Sequence, residues 1–288
     1  MKKIVWKDLR TLSVWILISV GLALGLRIFI FASFKVPSPS MEPTILAGDY
    51  VWVNKLTLGA RMYANFDFIR GGKVETKRLP GIRKVKRNDV LVFNPPCNES
   101  GQFGFDINTF YIKRCVAIPG DTFYIDNGIY KIKNCPDVLG YYAHQWQFSK
   151  EMDENIHSGM TFDCFPFDEF YHWTLKDFGP LYIPRKGDLM EINLQNIKLY
   201  HALIEYETGE IIAIRENKVY LNNKRLAFYT FRENYYFMAG DFVFNSGDSR
   251  YWGLLPEDHI IGKASVIWQS KDINTGKRRW KRMLKSIK

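Results

Sequence analysis

The chain has 288 residues, of which 47% are hydrophobic and 16% aromatic, so it can bury one or two substantial cores and is not a disordered chain. Its 21 glycines and 12 prolines are ordinary numbers and exclude collagen-like and low-complexity classes. The net charge of +10 is concentrated at the ends: residues 1–10 carry +3 and residues 277–288 carry +7, whereas the body is nearly neutral. This distribution argues against a nucleic-acid partner, whose basic stripe lies on the fold itself, and suits an anionic membrane surface.

Residues 11–34 are predicted to form a transmembrane anchor, because 17 of the 23 residues from Leu12 to Phe34 are apolar and Arg27 is their single charge. As a helix this run spans about 34 Å, enough to cross a hydrocarbon core of about 30 Å. A cleaved secretory signal is the alternative, but its apolar region would be shorter. The basic residues 1–10 favour a cytoplasmic N-terminus. The sequence therefore predicts a single pass through the cytoplasmic (inner) membrane, with everything after residue 34 on the outer, periplasmic side.

The part beyond the anchor is predicted to be mainly β, because short β-branched and aromatic segments alternate with Gly, Pro, Asn and Asp. Asn127-Gly128 and Asn222-Asn223 each lie between two such segments and predict hairpin turns. The resulting fold class is one N-terminal transmembrane helix followed by an antiparallel β domain with a large α+β insertion. We assign the chain to five parts: an N-terminus at 1–10, the anchor at 11–34, a β core at 35–133 and 218–270, the insertion at 134–217 and a basic tail at 271–288.

Two parts of the chain depart in composition from the β core. Residues 141–178 contain eleven aromatic residues and seven acids without strand patterns, which predicts a helical insertion with its own small core; a lid or a binding surface is the alternative. The basic tail has apolar residues among its lysines and arginines. It is interpreted either as a short amphipathic helix on the outer leaflet or as a frayed polar segment.

The cysteines do not define a site. The four residues Cys97, Cys115, Cys135 and Cys164 allow three disulfide pairings, and their spacing selects none of them. The sequence holds no Cys-x-x-Cys pair and no zinc-like cluster. We therefore expect neither a metal nor an organic cofactor.

A proline-rich segment after the anchor carries the first candidate for chemistry. Pro37, Pro39 and Pro43 bias the residues before them toward extended backbone and stiffen the chain around Ser40. Such a segment can hold the Ser40 hydroxyl still against a substrate; a stiff linker is the alternative. Six residues separate Phe34 from Ser40 and reach at most about 20 Å, which places Ser40 close to the membrane.

An activated serine needs a base, and the five histidines lie in no recognisable motif, so nothing favours a Ser-His-Asp triad. Lys113 is the other candidate, and strand alternation places it on the same face as Tyr111 and Cys115. Facing an apolar interior, a lysine loses solvation of its charged form, and full burial lowers its pKa by about 3–5. The neutral amine then accepts a serine proton near neutral pH. An exposed strand lysine is the alternative.

Three segments follow the anchor in order: PSPSMEPT at 37–44, YIKRCVAIPGD at 111–121 and GDFVFNSGDSRYWGLLPEDHIIGKA at 240–264. Together they closely resemble the bacterial type I signal peptidases, membrane-bound serine peptidases with a Ser/Lys dyad. The resemblance implies a hydrolase that cleaves N-terminal signal peptides from exported preproteins after an Ala-X-Ala-like site. It also implies that no metal or cofactor takes part.

The resemblance assigns roles to individual residues. Ser40 matches the nucleophile and Lys113 the general base, while Ser38 matches the serine whose hydroxyl stabilises the oxyanion together with the backbone N–H of Ser40. Ser246 matches the serine that orients the lysine amine, and Asp248 and Arg250 match an acid and an arginine that support it, as an ion pair. Seven positions match the lining of the small apolar substrate pockets: Phe34, Val36, Pro37, Met41, Ile45, Tyr111 and Ile112.

Three features depart from the family pattern, one of which is Cys115, where the family commonly has Val or Ala. Phe242-Val243-Phe244 stands where the family usually has Asn, often followed by Arg, and residues 134–217 cannot be aligned with the minimal core. The departure at residues 242–244 is the only support for an alternative, a non-catalytic, membrane-tethered binder of signal segments. Such a binder would not need to keep Ser38, Ser40, Lys113 and Ser246 together. A Ser/Lys self-cleaving regulator is a second alternative, which the anchor and the neutral body disfavour.

Overall fold

The structure is a computed structural model that describes residues 2–65, 74–97, 103–156 and 163–288. Within these ranges the helices are α1 (Lys2–Phe29), α2 (Tyr142–Ile156), α3 (Ile197–Thr208) and α4 (Ser249–Trp252). The strands are β1 (Phe31–Lys35), β2 (Asp49–Asn54), β3 (Arg61–Tyr63), β4 (Thr76–Arg78), β5 (Val90–Phe93), β6 (Tyr111–Ala117), β7 (Thr122–Asp126), β8 (Ile129–Ile132), β9 (Phe178–Tyr182), β10 (Leu189–Glu191), β11 (Ile212–Arg215), β12 (Lys218–Leu221), β13 (Lys224–Arg225), β14 (Phe228–Thr230), β15 (Tyr235–Ala239), β16 (Leu255–Pro256), β17 (Ile260–Ser270) and β18 (Lys285–Ser286).

The largest sheet has eight antiparallel strands in the order β1-β2-β17-β5-β6-β15-β16, with β18 added beside β17. The long strand β17 pairs with β2, β5 and β18, and its register shifts against β2 and β5. Such irregularities increase local twist, so the sheet curls around the apolar side chains that it buries. The prediction of a mainly β, antiparallel fold behind one N-terminal apolar helix is confirmed.

The anchor helix ends before the predicted boundary. The apolar span Leu9–Phe29 of α1 has a mean hydropathy of 2.1 and no part of it is buried in the protein; among the described helices, it alone is long and apolar enough to cross a membrane. Residues 31–34, predicted to belong to the anchor, lie in β1 instead, which pairs with β2 from Phe31↔Asn54 to Lys35↔Tyr50. Hydropathy alone does not distinguish an apolar strand from a membrane helix. In this segment the backbone pairing with β2 decides in favour of a strand.

The insertion packs on the core through shared sheets. Strand β9 pairs with β7, which lies in the core part of the chain, and β10 pairs with β14. Phe123, Phe178 and Phe237 contact one another and join β7, β9 and β15 in a single hydrophobic cluster. The helical segment expected within residues 141–178 is present as α2; residues 157–162 of that prediction lie outside the described ranges.

Both predicted hairpins are present. Asn127 and Gly128 have φ of 49° and 78° and connect β7 to β8. Asn222 and Asn223 have φ of 45° and 64° and connect β12 to β13. Two consecutive residues with positive φ form the turn whose twist matches that of the flanking strands, which is why Asn and Gly occupy these positions.

The basic tail is neither an amphipathic helix nor frayed. A single 3₁₀ turn at Trp280–Arg282 leads into β18, which pairs with β17, and the side chain of Ile287 is only 5% exposed. Arg282 forms an ion pair with the buried carboxylate of Asp49 at 2.6 Å. The sequence interpretation missed this because a basic side chain near the surface was counted as solvated, whereas here it satisfies a buried acid.

All four cysteines are free thiols. Cys115 and Cys164 are buried, and Cys97 and Cys135 are partly exposed. Burial raises the pKa of the Cys115 thiol well above its ordinary value.

Candidate active site

Ser40 and Lys113 meet in the structure although 73 residues separate them in the chain. Ser40 lies in the turn between β1 and β2, and Lys113 is the third residue of β6. The Nζ atom of Lys113 is 2.5 Å from the Oγ atom of Ser40, and the two residues are 5% and 6% exposed. A hydroxyl and an amine are therefore held in direct contact away from bulk water.

Burial lowers the pKa of Lys113 to about 8. The negative charges of Asp248 and Asp241 raise this pKa and the positive charge of Arg250 lowers it, but desolvation is the largest effect. A substantial fraction of the amine is thus neutral at mildly alkaline pH and can accept a proton from the serine. In the described part of the chain, no group of three or more His, Cys, Asp and Glu residues lies together so that it could hold a metal ion.

The segment that begins at Gly240 runs against the Ser40 backbone. The N–H of Phe242 donates a hydrogen bond to the carbonyl oxygen of Ser40 at 3.1 Å. A Cβ atom on Gly240 would collide with both that carbonyl oxygen and the Oγ of Ser246, so only glycine fits there. Ser246 therefore lies next to the dyad. Its Oγ is buried and has no hydrogen-bond partner among the described residues, so the bond to Lys113 that the resemblance implies is not formed.

Asp248 and Arg250 form a fully buried ion pair. Both side chains are 0% exposed, and Nε and Nη2 of Arg250 donate to the two carboxylate oxygens of Asp248 at 2.8 and 2.9 Å. The N–H of Gly240 donates to the same carboxylate at 2.9 Å. Burial alone would raise the pKa of Asp248, but the Arg250 guanidinium holds it below its ordinary value. The pair therefore fixes the strand end from which Gly240 reaches Ser40.

A second buried ion pair was not foreseen from the sequence. Nε and Nη2 of Arg114 donate to the carboxylate of Asp241 at 2.7 and 2.6 Å, and both residues are almost completely buried. Because Arg114 follows Lys113 and Asp241 follows Gly240, the pair ties the strand of the amine to the segment beside Ser40. One indication of this pair was present in the sequence. Arg114 is a second charged residue next to Lys113, in a strand whose C-terminal part is otherwise apolar.

The predicted pocket residues surround the turn that carries Ser40. Val36, Met41 and Ile45 are buried in one apolar cluster, against which Phe34 and Ile112 pack with part of their surface open. Two more members of the predicted set, Pro37 and Tyr111, are exposed. Met41 and Ile45 are 0% exposed, so they form the base of this region and not its open surface.

Ser38 is exposed, and its Oγ is 3.4 Å from the Oγ of Ser40. The backbone of β6 is also partly open near the dyad. On one side Tyr111–Arg114 pairs with β5, but on the other side the register with β15 extends only from Ala117 to Arg114. Within the ranges that the structure describes, the main chain at residues 111–113 has no strand partner on this side and can pair with an extended segment.

The insertion reaches the site through α2. His144 contacts Asp241 and Phe242, and Phe148 contacts Phe244. The two phenylalanines that depart from the family pattern therefore pack against this helix. Sequence reasoning gave neither residue a partner, because a contact between segments about 100 residues apart leaves no local pattern.

Comparison with known proteins places the chain in a family. The family model described as "Signal peptidase, peptidase S26" matches residues 9–162 and 223–269, so α2 lies inside the match. The chain is 30% identical over 250 residues to signal peptidase I of Buchnera aphidicola subsp. Acyrthosiphon pisum, covering 86% of this chain and 71% of that protein. It is 27% identical over 259 residues to signal peptidase I of Pseudomonas aeruginosa, covering 86% and 68%.

A solved signal peptidase I from Enterococcus faecalis V583 aligns with 64% of this chain and 100% of its own, at 18% identity and a TM-score of 0.30. The fold of this chain is defined by its own strand pairings and not by this superposition. The match to the family extends over most of the chain and includes the Ser40, Lys113 and Ser246 segments. The chain therefore belongs to the signal peptidase family, peptidase S26, and is a serine peptidase.

Proposed function

We propose that this protein removes N-terminal signal peptides from exported preproteins by cutting after an Ala-X-Ala-like site, with Ser40 as nucleophile and neutral Lys113 as general base. Membership of the signal peptidase family supports cleavage of signal peptides in general. The observation that carries the mechanism is the 2.5 Å contact between the buried Lys113 Nζ and Ser40 Oγ.

In the first step, Lys113 takes the proton of Ser40 as Oγ attacks the scissile carbonyl carbon. The N–H of Ser40 and the hydroxyl of Ser38 donate to the developing oxyanion, and such donors supply several kcal/mol of transition-state stabilisation. The Lys113 ammonium then protonates the leaving amine as the C–N bond breaks. The neutral amine of Lys113 then takes a proton from water as the water oxygen attacks the acyl-enzyme carbonyl. The Lys113 ammonium returns a proton to Ser40 Oγ as the ester C–O bond breaks, which releases the signal peptide with a free carboxylate.

Ser246 has a place in this cycle. Once Lys113 has accepted the serine proton, its ammonium needs an acceptor in a site from which water is excluded. The buried and unpartnered Oγ of Ser246 lies beside the dyad and provides one. The Asp248–Arg250 pair supports Ser246 by fixing the start of its segment at Gly240.

The substrate binds as an extended strand. Its main chain pairs with residues 111–113, where β6 has no partner among the described residues on the side facing away from β5. The small side chains of the Ala-X-Ala site face the apolar region formed by Phe34, Val36 and Ile112 above the buried Met41 and Ile45. Larger side chains at these two substrate positions are excluded because the region is backed by a close-packed core.

The protein works at the cytoplasmic membrane, with residues 1–10 in the cytoplasm and the β domain on the outer side. The apolar span of α1 supports anchoring, and the basic residues near it support this orientation. Basic side chains at both ends of the chain contact anionic lipids. Arg279 and Arg282 of the tail are paired with acids, which leaves the remaining tail cations for this contact.

The test is mass spectrometry of a model precursor incubated in detergent with wild-type, Ser40→Ala and Lys113→Ala protein. Wild-type protein should yield one cut after the Ala-X-Ala site, and each variant should lower the rate by more than about a thousandfold. Ser286→Ala and Lys133→Ala, which alter an exposed serine and an exposed lysine, are the matched controls and should cut normally.

Cleavage of the same bond by Ser40→Ala protein would exclude Ser40 as the nucleophile. If wild-type protein bound the precursor without cutting it, the chain would be a binder of signal segments, and the peptidase proposal would fail.

A further inference from the structure

One peptide group beside the nucleophile is held at both ends. The carbonyl oxygen of Asp241 is 2.8 Å from Nδ1 of His144 on α2. The N–H of Phe242 donates to the carbonyl oxygen of Ser40 at 3.1 Å. That carbonyl and that N–H belong to the same peptide unit, between residues 241 and 242. His144 and Ser40 are therefore connected through a single planar group.

The chemistry of this connection sets the state of His144. A carbonyl oxygen can only accept, so Nδ1 must carry a hydrogen and donate it. Because the peptide unit is planar, fixing its oxygen also fixes the direction of its N–H toward Ser40. A hydrogen bond to the carbonyl also polarises the unit and strengthens the donor at its other end.

His144 is itself held firmly. Its ring packs at centroid distances of 4.8 Å from Tyr141 and 5.4 Å from Phe242. The next residue, Gln145, is fully buried; its side chain accepts from the N–H of Tyr130 and donates to the carbonyl of Leu139. These contacts fix the first turn of α2 on the hairpin of β7 and β8, so the imidazole has little freedom to leave Asp241.

We propose that His144 is a positioning residue that acts through the Asp241–Phe242 peptide to hold the Ser40 backbone in its catalytic conformation. The Ser40 carbonyl that this peptide binds and the Ser40 N–H that binds the oxyanion flank the same Cα atom, so restricting one restricts the other. Phe242 then has two functions, since its N–H orients Ser40 and its ring packs on His144. The proposal rests on the proposed function in taking Ser40 as the nucleophile.

Two substitutions separate the hydrogen bond from the packing. His144→Phe keeps an aromatic ring and removes the donor, whereas His144→Asn loses the ring and places an amide N–H where Nδ1 was. We expect His144→Phe to lower kcat for a model precursor about tenfold with KM within twofold of wild type. His144→Asn should keep kcat within about threefold. Gln147→Ala, which alters an exposed residue on the same helix, is the control and should behave as wild type.

If His144→Phe keeps wild-type kcat, or if His144→Asn is as impaired as His144→Phe, the positioning role is wrong and the histidine serves packing. The wild-type protein offers a test that does not depend on the folding of any variant. At pH 9, ¹⁵N NMR of the imidazole should show the Nδ1–H tautomer of His144, and the Nε2–H tautomer would overturn the proposal. A wild-type protein that cuts no precursor would defeat the proposed function, whereas the tautomer would still report on the contact.

Discussion

The residue with the largest conflict between stability and chemistry is Lys113. Its amine is buried next to Ser40, and the pKa falls from 10.5 to about 8. Because the folded state binds the proton less tightly than the unfolded state, the unfolded chain holds more protons between these two values, and stability rises with pH across that window. Below pH 8 the folded protein carries the full cost of a buried ammonium. Burial of this amine thus lowers the stability of the fold.

The activity should follow the protonation of this amine. We expect kcat/KM for a model precursor to rise about tenfold per pH unit below pH 8 and to level off above an apparent pKa of about 8. The measurement is a pH–rate profile from pH 6 to 10, with circular dichroism to verify that the fold persists. A profile that is flat or falls over this range would mean that the base is not a lysine with a lowered pKa.

Removal of the amine should stabilise the fold. The difference between 10.5 and about 8 corresponds to about 3 kcal/mol, so Lys113→Met should raise the free energy of unfolding by up to about this amount at pH 7. The gain should shrink between pH 8 and 10.5 and vanish above it. Denaturant midpoints in detergent measure the effect, and Lys133→Met, at an exposed lysine, is the control. An equal or lower midpoint for Lys113→Met at pH 7 would contradict the argument.

The Asp248–Arg250 pair should behave as a buried unit. Asp248→Ala leaves the guanidinium of a 0% exposed arginine without its counter-charge, which we expect to cost about 3–5 kcal/mol of unfolding free energy. Combining it with Arg250→Met should recover a large part of the loss. The comparison is between the unfolding midpoints of the single and double variants, and a double variant less stable than Asp248→Ala would count against the pairing.

At the level of elements, β17 organises the main sheet. It receives β2 on one side and β5 on the other, and β18 from the basic tail pairs with it as well. In the tail, Ile287 packs into the apolar cluster that also holds Met41 and Ile45, beneath the turn that carries Ser40. A segment that composition marks as a surface tail therefore contributes to the packing under the candidate site.

This packing predicts different costs for two aliphatic residues of the tail. Ile287 is 5% exposed and Leu284 is 72% exposed. Ile287→Ala should lower the free energy of unfolding by about 2 kcal/mol or more, because it leaves a cavity in the cluster. Leu284→Ala should stay within about 0.5 kcal/mol of wild type. Chemical denaturation of the two variants in parallel gives the comparison; equal midpoints would show that the tail does not dock in solution.

For the whole molecule, the position of the site relative to the membrane follows from where α1 ends. Helix α1 ends at Phe29, so the chain from there to Ser40 is eleven residues long and reaches at most about 40 Å. This replaces the limit of about 20 Å that the longer predicted anchor implied. The site still lies within reach of a cleavage site that emerges from the bilayer, because β1 begins two residues after the helix.

The orientation can be tested on cells. Protease added to intact spheroplasts should degrade the β domain and leave a tag at residue 1 protected, because the basic residues 1–10 stay on the cytoplasmic side. Inside-out vesicles, as the control, should give the reverse pattern. Protection of the β domain in spheroplasts would place it in the cytoplasm and exclude a role in processing exported proteins.

Much of the fold and the identity of the dyad could be predicted from the sequence, because both depend on local information. The β-branched and aromatic composition around Tyr111–Ala117 and the Asn127-Gly128 turn indicate a strand and a hairpin from neighbouring residues alone. The end of the anchor could not be predicted, since Phe31–Lys35 is apolar enough for either a helix or a strand and the pairing with β2 decides. The docking of the basic tail could not be predicted either, because it depends on a contact with Asp49, which is distant in sequence.

The sequence could predict those residues of the candidate site that lie within the motif segments. Ser40 and Lys113 were named from their segments, but their contact is set by the fold. Three further contacts at the site link residues far apart in sequence: Arg114 with Asp241, His144 with Asp241, and Phe148 with Phe244. No periodicity marks such contacts, so the sequence showed Phe242-Val243-Phe244 only as a departure and gave no reason for it.

The reactivity of Cys115 can be used to measure how often the native protein opens around strand β6. Cys115 is wholly enclosed two positions from Lys113, and its raised pKa keeps the thiol protonated and unreactive. Cys97 and Cys135 are partly accessible and will be alkylated first. The rate at which a maleimide reaches Cys115 therefore measures how often the strand beside the nucleophile separates from its neighbours, without any engineered label.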